Sequence, residues 1–305
     1  MNTPHKPVLY KEIIHALQPQ SPGKYVDGTL GAGGHARGIL EACAPDGCLL
    51  GLDVDTQALA LARENLAPFG KRAHLAQASY ISLLDVIREI GWDAVDGILL
   101  DLGLSSMQLD TPERGFSFTH DAPLDMRFNR DFGLTAAQLV NTLPEADLAD
   151  LLFKYGEEPR ARRIVREIIK ARPLRTTAQL AEIVKRAYPE HSRVHPATRT
   201  FQALRIAVND ELATVENALP KAVSALRRGG RLAVVSFHSL EDRIVKDFFR
   251  EQAKDLVNPP YEQIYKVECK ATLKEINRKP IMPDEEEIKE NPRARSAKLR
   301  VVEKL

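Results

Sequence analysis

Asp27-Gly-Thr-Leu-Gly-Ala-Gly-Gly-His35 follows a short apolar strand, Lys24 to Val26, and opens a helical stretch. Its four glycines in seven positions allow backbone conformations that other residues avoid, and they let bare N–H groups at a helix N-terminus approach a ligand. Nineteen residues after Gly34, Asp53 ends an apolar run that starts at Cys48. A carboxylate there can accept hydrogen bonds from ribose hydroxyls, so the pair predicts a nucleotide-binding site in a Rossmann-type unit.

From Tyr25 to Asp101, short apolar strands alternate with helical stretches, an order that predicts an α/β fold with a mostly parallel sheet. The predicted strands are 24–26, 48–53, 73–77, 97–101, 229–237 and 296–302, and the predicted helices are 35–42, 56–66, 82–89 and 240–252. Residues 110–199 are rich in helix formers and show no convincing strand. We therefore predict one α/β domain interrupted by a helical insertion, with an irregular surface connection over 253–290.

The 305 residues, 44% of them hydrophobic, are enough to bury a sizeable core. The chain has no apolar run near the roughly 18 residues that span a bilayer, and its start lacks a secretory signal. We expect a cytoplasmic protein without membrane contact. The three cysteines, Cys43, Cys48 and Cys269, lack metal-ligand spacing, so we predict free thiols and no metal site.

The net charge of +1 hides an uneven distribution. Between Lys154 and Arg205 the chain has thirteen basic and five acidic residues, a local charge of +8, so the remainder is acidic. Such a cationic region suits phosphate binding, and binding of this kind weakens steeply with salt. A solvated helical face is the competing interpretation.

Two acidic residues, Asp27 and Asp101, indicate which nucleotide binds. The run Gly31-Ala-Gly-Gly-His-Ala36 satisfies a dinucleotide pattern, so a nicotinamide-dependent dehydrogenase stays open. Asp27, however, would repel a pyrophosphate and suits a ligand with an ammonium group, which favours S-adenosylmethionine. Asp101 ends a predicted strand at the edge where open α/β sheets bind ligands, although an N-cap or turn role competes there.

Seven blocks of the chain, taken in order, resemble one family. They are 27–35, 96–106, 114–118, 123–127, 195–206, 236–246 and 292–296, and together they span nearly the whole sequence. The family is that of the bacterial methyltransferases that modify the exocyclic N4 of a cytosine in the decoding region of small-subunit (16S) ribosomal RNA. The resemblance implies a Rossmann-like class I methyltransferase fold, with S-adenosylmethionine as cofactor and ribosomal RNA, or the assembled small subunit, as substrate.

The resemblance also divides the chain and assigns its site. Residues 1–109 and 200–305 correspond to the two parts of the methyltransferase domain, and the insertion 110–199 is expected to recognise RNA. Two departures are visible, because Tyr80 stands where the family has Phe and Met107 where it has Pro. The residues that match the family's cofactor contacts are Gly33, Gly34, His35, Asp53, Tyr80, Asp101 and Gln108.

Each of these assignments competes with a structural role. Asp53 could form a strand-end turn with Asp55, Tyr80 could pack in the core instead of lying against adenine, and His35 could cap the first helix. After the strand that ends near Ser236, Ser239 and Asp242 form a relaxed capping-box pattern. That pattern leaves His238 facing the expected cleft as a candidate substrate contact.

We expect direct methyl transfer without a covalent enzyme intermediate, because none of the cysteines lies in the cleft motifs. Asp101, Ser105 or Ser106, and His238 are the candidate catalytic acceptors around the amine. The target base must leave its stack to reach the cofactor. Methylation of a protein or a small molecule, and a non-enzymatic RNA-binding assembly factor, remain alternatives. The sequence also leaves open whether the chain forms a homodimer.

Overall fold

The computed structural model describes residues 7–188, 195–255 and 270–305, and within them the chain forms two compact units. One unit comprises Met1–Gly103 and Thr214–Leu305, and the other is Leu104–Ala213. The strands are β1 Lys24–Asp27, β2 Cys48–Asp53, β3 Ala73–Gln77, β4 Val95–Asp101, β5 Leu226–Ser236, β6 Leu273–Glu275 and β7 Lys298–Lys304. The α-helices are α1 Tyr10–Leu17, α2 Gly34–Ala42, α3 Thr56–Leu66, α4 Leu83–Glu89, α5 Ser106–Asp110, α6 Ala136–Thr142, α7 Glu145–Gly156, α8 Ala161–Ala171, α9 Thr177–Arg186, α10 Ala197–Asn209, α11 Glu211–Ala225, α12 Ser239–Gln252 and α13 Glu285–Glu290.

The first unit is built on one twisted sheet with the strand order β3-β2-β1-β4-β5-β7-β6. The five strands from β3 to β5 are parallel, and β7 runs antiparallel to both β5 and β6. The order reverses direction between β1 and β4, which is the switch point where doubly wound sheets bind ligands. The predicted α/β fold with a mostly parallel sheet is thus confirmed.

Apolar side chains cover both faces of this sheet, which explains why its strands read as continuous apolar runs. Along β4, Ile98 and Leu100 face one buried cluster, while Leu99 between them faces the other. In β7, Leu299 and Val301 face one cluster and Val302 faces the other. The aspartates of β1 and β2 and Asp101 of β4 lie at the ends of these strands, where the candidate site lies.

The second unit is helical, and its own core is formed mainly by α6 to α10. Helix α8 shows the pattern clearly: Ile164, Val165 and Ile168 are buried, whereas Arg163 and Arg166 are exposed. Capping boxes start three of the helices, those that begin after Ser105, Thr135 and Thr176. The only β-pairing among the described residues of this unit is a single bridge between Pro123 and Thr176.

Several predictions of local structure were incomplete. Helix α1 was not anticipated, and the interpretation of 253–290 as irregular was wrong for β6 and α13. Strand β6 has only three residues, which is too short to show a period. Residues 256–269 of that connection, which include Cys269, lie outside the described residues. Arg193 of the basic stretch lies outside them as well.

Cys43 and Cys48 are free thiols, as predicted. Within the described residues, no helix is both long and apolar enough to cross a bilayer.

Candidate active site at the carboxyl edge of the sheet

Three neighbouring strands of the first unit each end in an aspartate. Asp53 ends β2, Asp27 ends β1 and Asp101 ends β4, and these strands are adjacent in the sheet. Asp27 pairs in register with Gly51 on one side and Leu99 on the other. Because the strands are parallel, all three carboxylates lie at the same edge, next to the glycine turn that follows β1.

Asp27 is almost completely buried, with 1% of its surface exposed. Burial raises the pKa of its carboxyl to about 7, the Thr29 N–H acts against that rise, and the charge of Asp53 adds to it. The Thr29 N–H donates to Asp27 Oδ1 over 3.1 Å. A carboxyl in this state ionises readily when a cation is placed beside it.

Asp53 holds the turn from the other side. Its Oδ2 accepts from the Gly31 N–H over 2.8 Å, and its Oδ1 accepts from the Asp55 N–H over 2.9 Å. Burial raises the pKa of Asp53 despite these two hydrogen bonds. The strand-end turn with Asp55 is therefore present, and since each carboxylate oxygen has two lone pairs, the turn leaves capacity for ribose hydroxyls.

Two glycines of the turn are needed for steric reasons. Gly33 is the N-cap of α2 and has φ +84°, a left-handed conformation that side chains disfavour. At Gly28, an added Cβ would lie 2.6 Å from Leu100 and 2.9 Å from the Cβ of Tyr80. The N-terminal N–H groups of α2, preceded by a residue without a side chain, are thus placed to bind an anionic group.

His35 does not cap α2, because the helix begins at Gly34 with Gly33 as its N-cap. Its ring is buried, with Nε2 donating to the carbonyl of Val8 over 2.9 Å and the ring stacked on Tyr10 at 6.3 Å between centroids. The other ring nitrogen, Nδ1, lies 3.7 Å from Asp101 Oδ2. The imidazole therefore links the segment before α1 to the end of β4.

Asp101 lies close to two other acidic residues. Burial first, then the charges of Asp27 and Glu241, raise its pKa well above the ordinary value. Its backbone N–H donates to Thr29 Oγ1 over 2.6 Å. Its Oδ1 is buried and has no hydrogen-bond partner among the residues that the structure describes. An orphaned, buried carboxylate oxygen at a ligand-binding edge marks a functional group.

The start of α12 differs from its prediction. The N-cap is His238, whose Nδ1 accepts from the Glu241 N–H over 3.3 Å, while Glu241 Oε2 accepts from the N–H of His238 over 3.4 Å and of Phe237 over 2.9 Å. The predicted Ser239–Asp242 box is wrong by one residue. The contact of His238 with substrate stays a prediction, since the ring already serves as the cap.

Asp242 is instead paired with basic residues of β7. Arg300 Nε donates to its Oδ1 over 2.7 Å, and Lys298 Nζ donates to its Oδ2 over 3.2 Å. Burial opposes ionisation of Asp242, but Arg300 and Lys298 outweigh it and lower the pKa. This pair fixes α12 against β7 and keeps Asp242 out of the acidic cluster.

The remaining predicted residues fall in two places. Tyr80 starts a 3-10 turn, Tyr80–Ser82, and is half-buried against the core of the first unit, so its packing role is confirmed and its contact with adenine stays a prediction. Ser105 and Gln108 belong to the second unit, where they form the capping box of α5. Ser105 Oγ accepts from the Gln108 N–H over 3.2 Å, and Gln108 Oε1 accepts from the Ser105 N–H over 3.1 Å.

The edge of the first unit therefore gathers four buried or half-buried acids, Asp27, Asp53, Asp101 and Glu241, beside a glycine turn. Desolvated acids repel each other and raise one another's pKa, so the cluster is best stabilised by a bound cation. The N-terminus of α2 adds a site for an anion a few residues away. A ligand carrying both an ammonium or sulfonium charge and a carboxylate matches this arrangement.

Comparison with known proteins agrees with this chemistry. The model of the MraW methylase family matches residues 2–305. The chain belongs to this family. It is 53% identical over 309 residues to the ribosomal RNA small subunit methyltransferase H of Geotalea uraniireducens, covering 99% of this chain and 98% of that protein. Its counterpart of the same name in Geobacter sulfurreducens is 52% identical over 313 residues, covering 100% of both.

A solved structure of a putative rRNA-methylase from Clostridium thermocellum is a more distant match. It is 14% identical, covers 99% of this chain and 100% of that chain, and gives a TM-score of 0.44.

Two members of the cluster were missed by sequence reasoning. Thr29 joins Asp27 to Asp101, since its N–H binds one and its hydroxyl the other. Glu241 is buried and contributes to the perturbation of Asp101. A signal for Glu241 was available, because it follows His238 at capping-box spacing. No sequence signal identifies Thr29, whose role depends on the register between β1 and β4.

Proposed function

We propose that this member of the MraW methylase family transfers a methyl group from S-adenosylmethionine to the exocyclic N4 amine of a cytosine in the decoding region of 16S ribosomal RNA. The names of its relatives support a small-subunit rRNA substrate. The seven sequence blocks support the choice of the cytosine amine. The observation that carries the proposal is the cluster of buried aspartates at the carboxyl edge of β2, β1 and β4.

The residues present fit S-adenosylmethionine. Asp53 would accept from the ribose hydroxyls, the acids near Asp27 would face the positive charges, and the first turn of α2, with Gly33, Gly34 and His35, would receive the carboxylate. A nicotinamide dinucleotide would bring its pyrophosphate against the same acids, which disfavours the dehydrogenase alternative. Tyr80 is a further proposed cofactor contact. The assignment of Gln108, which the family resemblance implies, stays a prediction.

When bound, S-adenosylmethionine supplies an electrophilic methyl group. The work of the protein is to hold the cytosine amine in line with that group and to favour a pyramidal nitrogen, because the lone pair is otherwise delocalised into the ring. We assign this role to acceptors at the amine, with Asp101 foremost and Ser105 and His238 as further candidates. A covalent intermediate is unnecessary, because the amine is itself the nucleophile.

We further propose that the insertion 110–199 binds the RNA. Helix α8 supports this, since its buried face is apolar and its exposed face carries Arg162, Arg163 and Arg166. Lys170 on the same helix is paired with Glu167 over 2.7 Å. Exposed arginines bind phosphates through charge-assisted hydrogen bonds. The protein would act in the bacterial cytoplasm, where ribosomal subunits are made.

Mass mapping of methylated nucleosides tests the proposal. Small-subunit RNA from cells that lack this protein should lose one N4-methylated cytidine, which should return with the wild-type gene and not with Asp101→Asn. Purified protein should transfer label from S-adenosylmethionine to small subunits or their RNA, but not to free protein. Loss of a different modification, or label on a protein acceptor, would contradict the substrate; binding of NAD in preference to S-adenosylmethionine would contradict the cofactor.

A further inference from the structure

Methyl transfer to an amine leaves a proton to be removed. The amine nitrogen forms a bond to the methyl carbon, and the electron pair of the broken carbon–sulfur bond stays on sulfur. The nitrogen then carries the methyl group, two hydrogens and a positive charge until one proton leaves. The acceptor of that proton is a part of the reaction that neither the family match nor the names of the relatives assign.

Asp101 is placed to take the proton. Its Oδ1 is buried without a hydrogen-bond partner among the described residues, and its Oδ2 lies 3.7 Å from His35 Nδ1. The titratable groups that face Asp101 are Asp27 from β1, Glu241 from α12 and His35 from α2. Two of these are acids, so His35 is the group that can offset the charge of Asp101.

The contacts of His35 fix which of its nitrogens can change protonation. Nε2 lies 2.9 Å from the carbonyl oxygen of Val8, and a carbonyl only accepts, so Nε2 keeps its hydrogen whether the ring is neutral or charged. The titrating nitrogen is therefore Nδ1, which faces Asp101 Oδ2. A protonated ring would donate to Val8 on one side and face a carboxylate on the other.

We propose that Asp101 accepts the proton of the methylated amine and that His35 is a positioning residue, which holds a proton at Nδ1 and so keeps the Asp101 carboxylate ionised. The proposal rests on the proposed function, because it requires an amine substrate. A cofactor contact at residue 35 needs only the backbone N–H, which any residue except proline supplies. The hydrogen bond to Val8 and the stack on Tyr10 hold the imidazole in place, and proton placement gives a function to the Nδ1 that they leave directed toward Asp101.

His35→Gln is the decisive variant, because glutamine can donate to Val8 but takes up no proton. Without a cation beside it, Asp101 should ionise only at higher pH, since Asp27 and Glu241 still oppose its charge. The acid limb of the single-turnover rate against pH should move up by about one unit, the smaller end of the shift that a neighbouring opposite charge produces. At pH values below the acid limb of the wild-type profile, the rate should fall by about tenfold, with the Kd for S-adenosylmethionine within about threefold of wild type.

His15→Gln is the matched control, because His15 is exposed on α1 and the profile should not move. A rate reduced by one factor at every pH would show that His35 only supports the fold, and an unchanged profile would remove it from the reaction; either result overturns the proposal. If His35→Gln does not fold, imidazole ¹⁵N spectra of the wild-type protein and Asp101→Asn decide. His35 should titrate at lower pH in Asp101→Asn, and an equal titration in both proteins overturns the proposal.

The spectra also separate this inference from the proposed function. If the protein makes no N4-methylcytidine but the titrations of His35 and Asp101 are coupled, the proposed function is refuted and the interaction of His35 with Asp101 is supported. If the protein makes N4-methylcytidine and His35→Gln has the pH profile of the wild type, the proposed function is supported and the role of His35 is refuted.

Discussion

Asp27→Asn should stabilise the cofactor-free protein at alkaline pH while weakening the cofactor's binding. The pKa of Asp27 is about 7 in the folded state, against 3.8 as the ordinary value. Because the folded state holds this proton more tightly than the unfolded state, the contribution of Asp27 to the free energy of unfolding falls as pH rises from about 4 to about 7 and then levels off. A shift of about three units corresponds to about 4 kcal/mol, and asparagine, which does not ionise, avoids that loss.

The assay is urea unfolding of wild type and Asp27→Asn at pH 5 and pH 8.5. We expect the variant's advantage in the free energy of unfolding to grow by about 3 kcal/mol between these pH values, because about two of the three pH units lie above pH 5. Asp93→Asn is the matched control, because Asp93 is exposed, and its difference from wild type should be the same at both. An advantage of Asp27→Asn that does not depend on pH would refute the reasoning.

Asp27→Asn also tests whether the Asp27 carboxylate contributes to cofactor binding. If Asp27 favours a positive ligand, Asp27→Asn should raise the Kd for S-adenosylmethionine by about tenfold to a hundredfold, as measured by calorimetry, since hydrogen bonds to charged groups contribute about 1.5–3 kcal/mol. Unchanged affinity would mean that the buried acid has no part in cofactor binding.

Three further changes test other contacts. Thr29→Val removes the acceptor for the Asp101 N–H, and kcat should fall about tenfold with little change in cofactor Kd; an unchanged kcat in steady-state assays would contradict this. Asp242→Ala leaves Arg300 buried without its carboxylate and should lower the free energy of unfolding by about 3–5 kcal/mol in urea titrations, where a loss below 1 kcal/mol would show that the pair is dispensable. Arg163→Glu, on the exposed face of α8, should weaken RNA binding and lower its salt dependence by about one phosphate contact in filter-binding titrations, whereas equal salt slopes would place the RNA elsewhere.

The sheet and the position of the site could be predicted because both depend on local sequence. Strands that are buried on both faces must be apolar throughout, so β2 and β4 stand out, and the aspartates that end them stand out equally. Strand β6 could not be predicted from the sequence, because its three residues are ordered by pairing with β7.

The start of α12 shows where local reasoning fails. His238 and Glu241, like Ser239 and Asp242, have capping-box spacing, and the two patterns differ by one residue. The helix begins after His238 and not after Ser239, and Asp242 is bound instead by Arg300, which lies 58 positions further along the chain. Thr29 is a similar case, since its hydroxyl meets Asp101 only after β1 and β4 have paired in register.

The pairing of β4 with β5 has a consequence for biosynthesis. Asp101 pairs with Val235, and the whole of the second unit lies between them in the chain. During translation, β1 to β4 leave the ribosome well before β5, so the nascent half-sheet has an open edge at β4 and apolar side chains such as Ile98 and Leu100 without their cover. Contacts so distant in sequence slow folding, and exposed strand edges invite aggregation. Nascent chains of this protein should therefore depend on chaperones until β5 has been made.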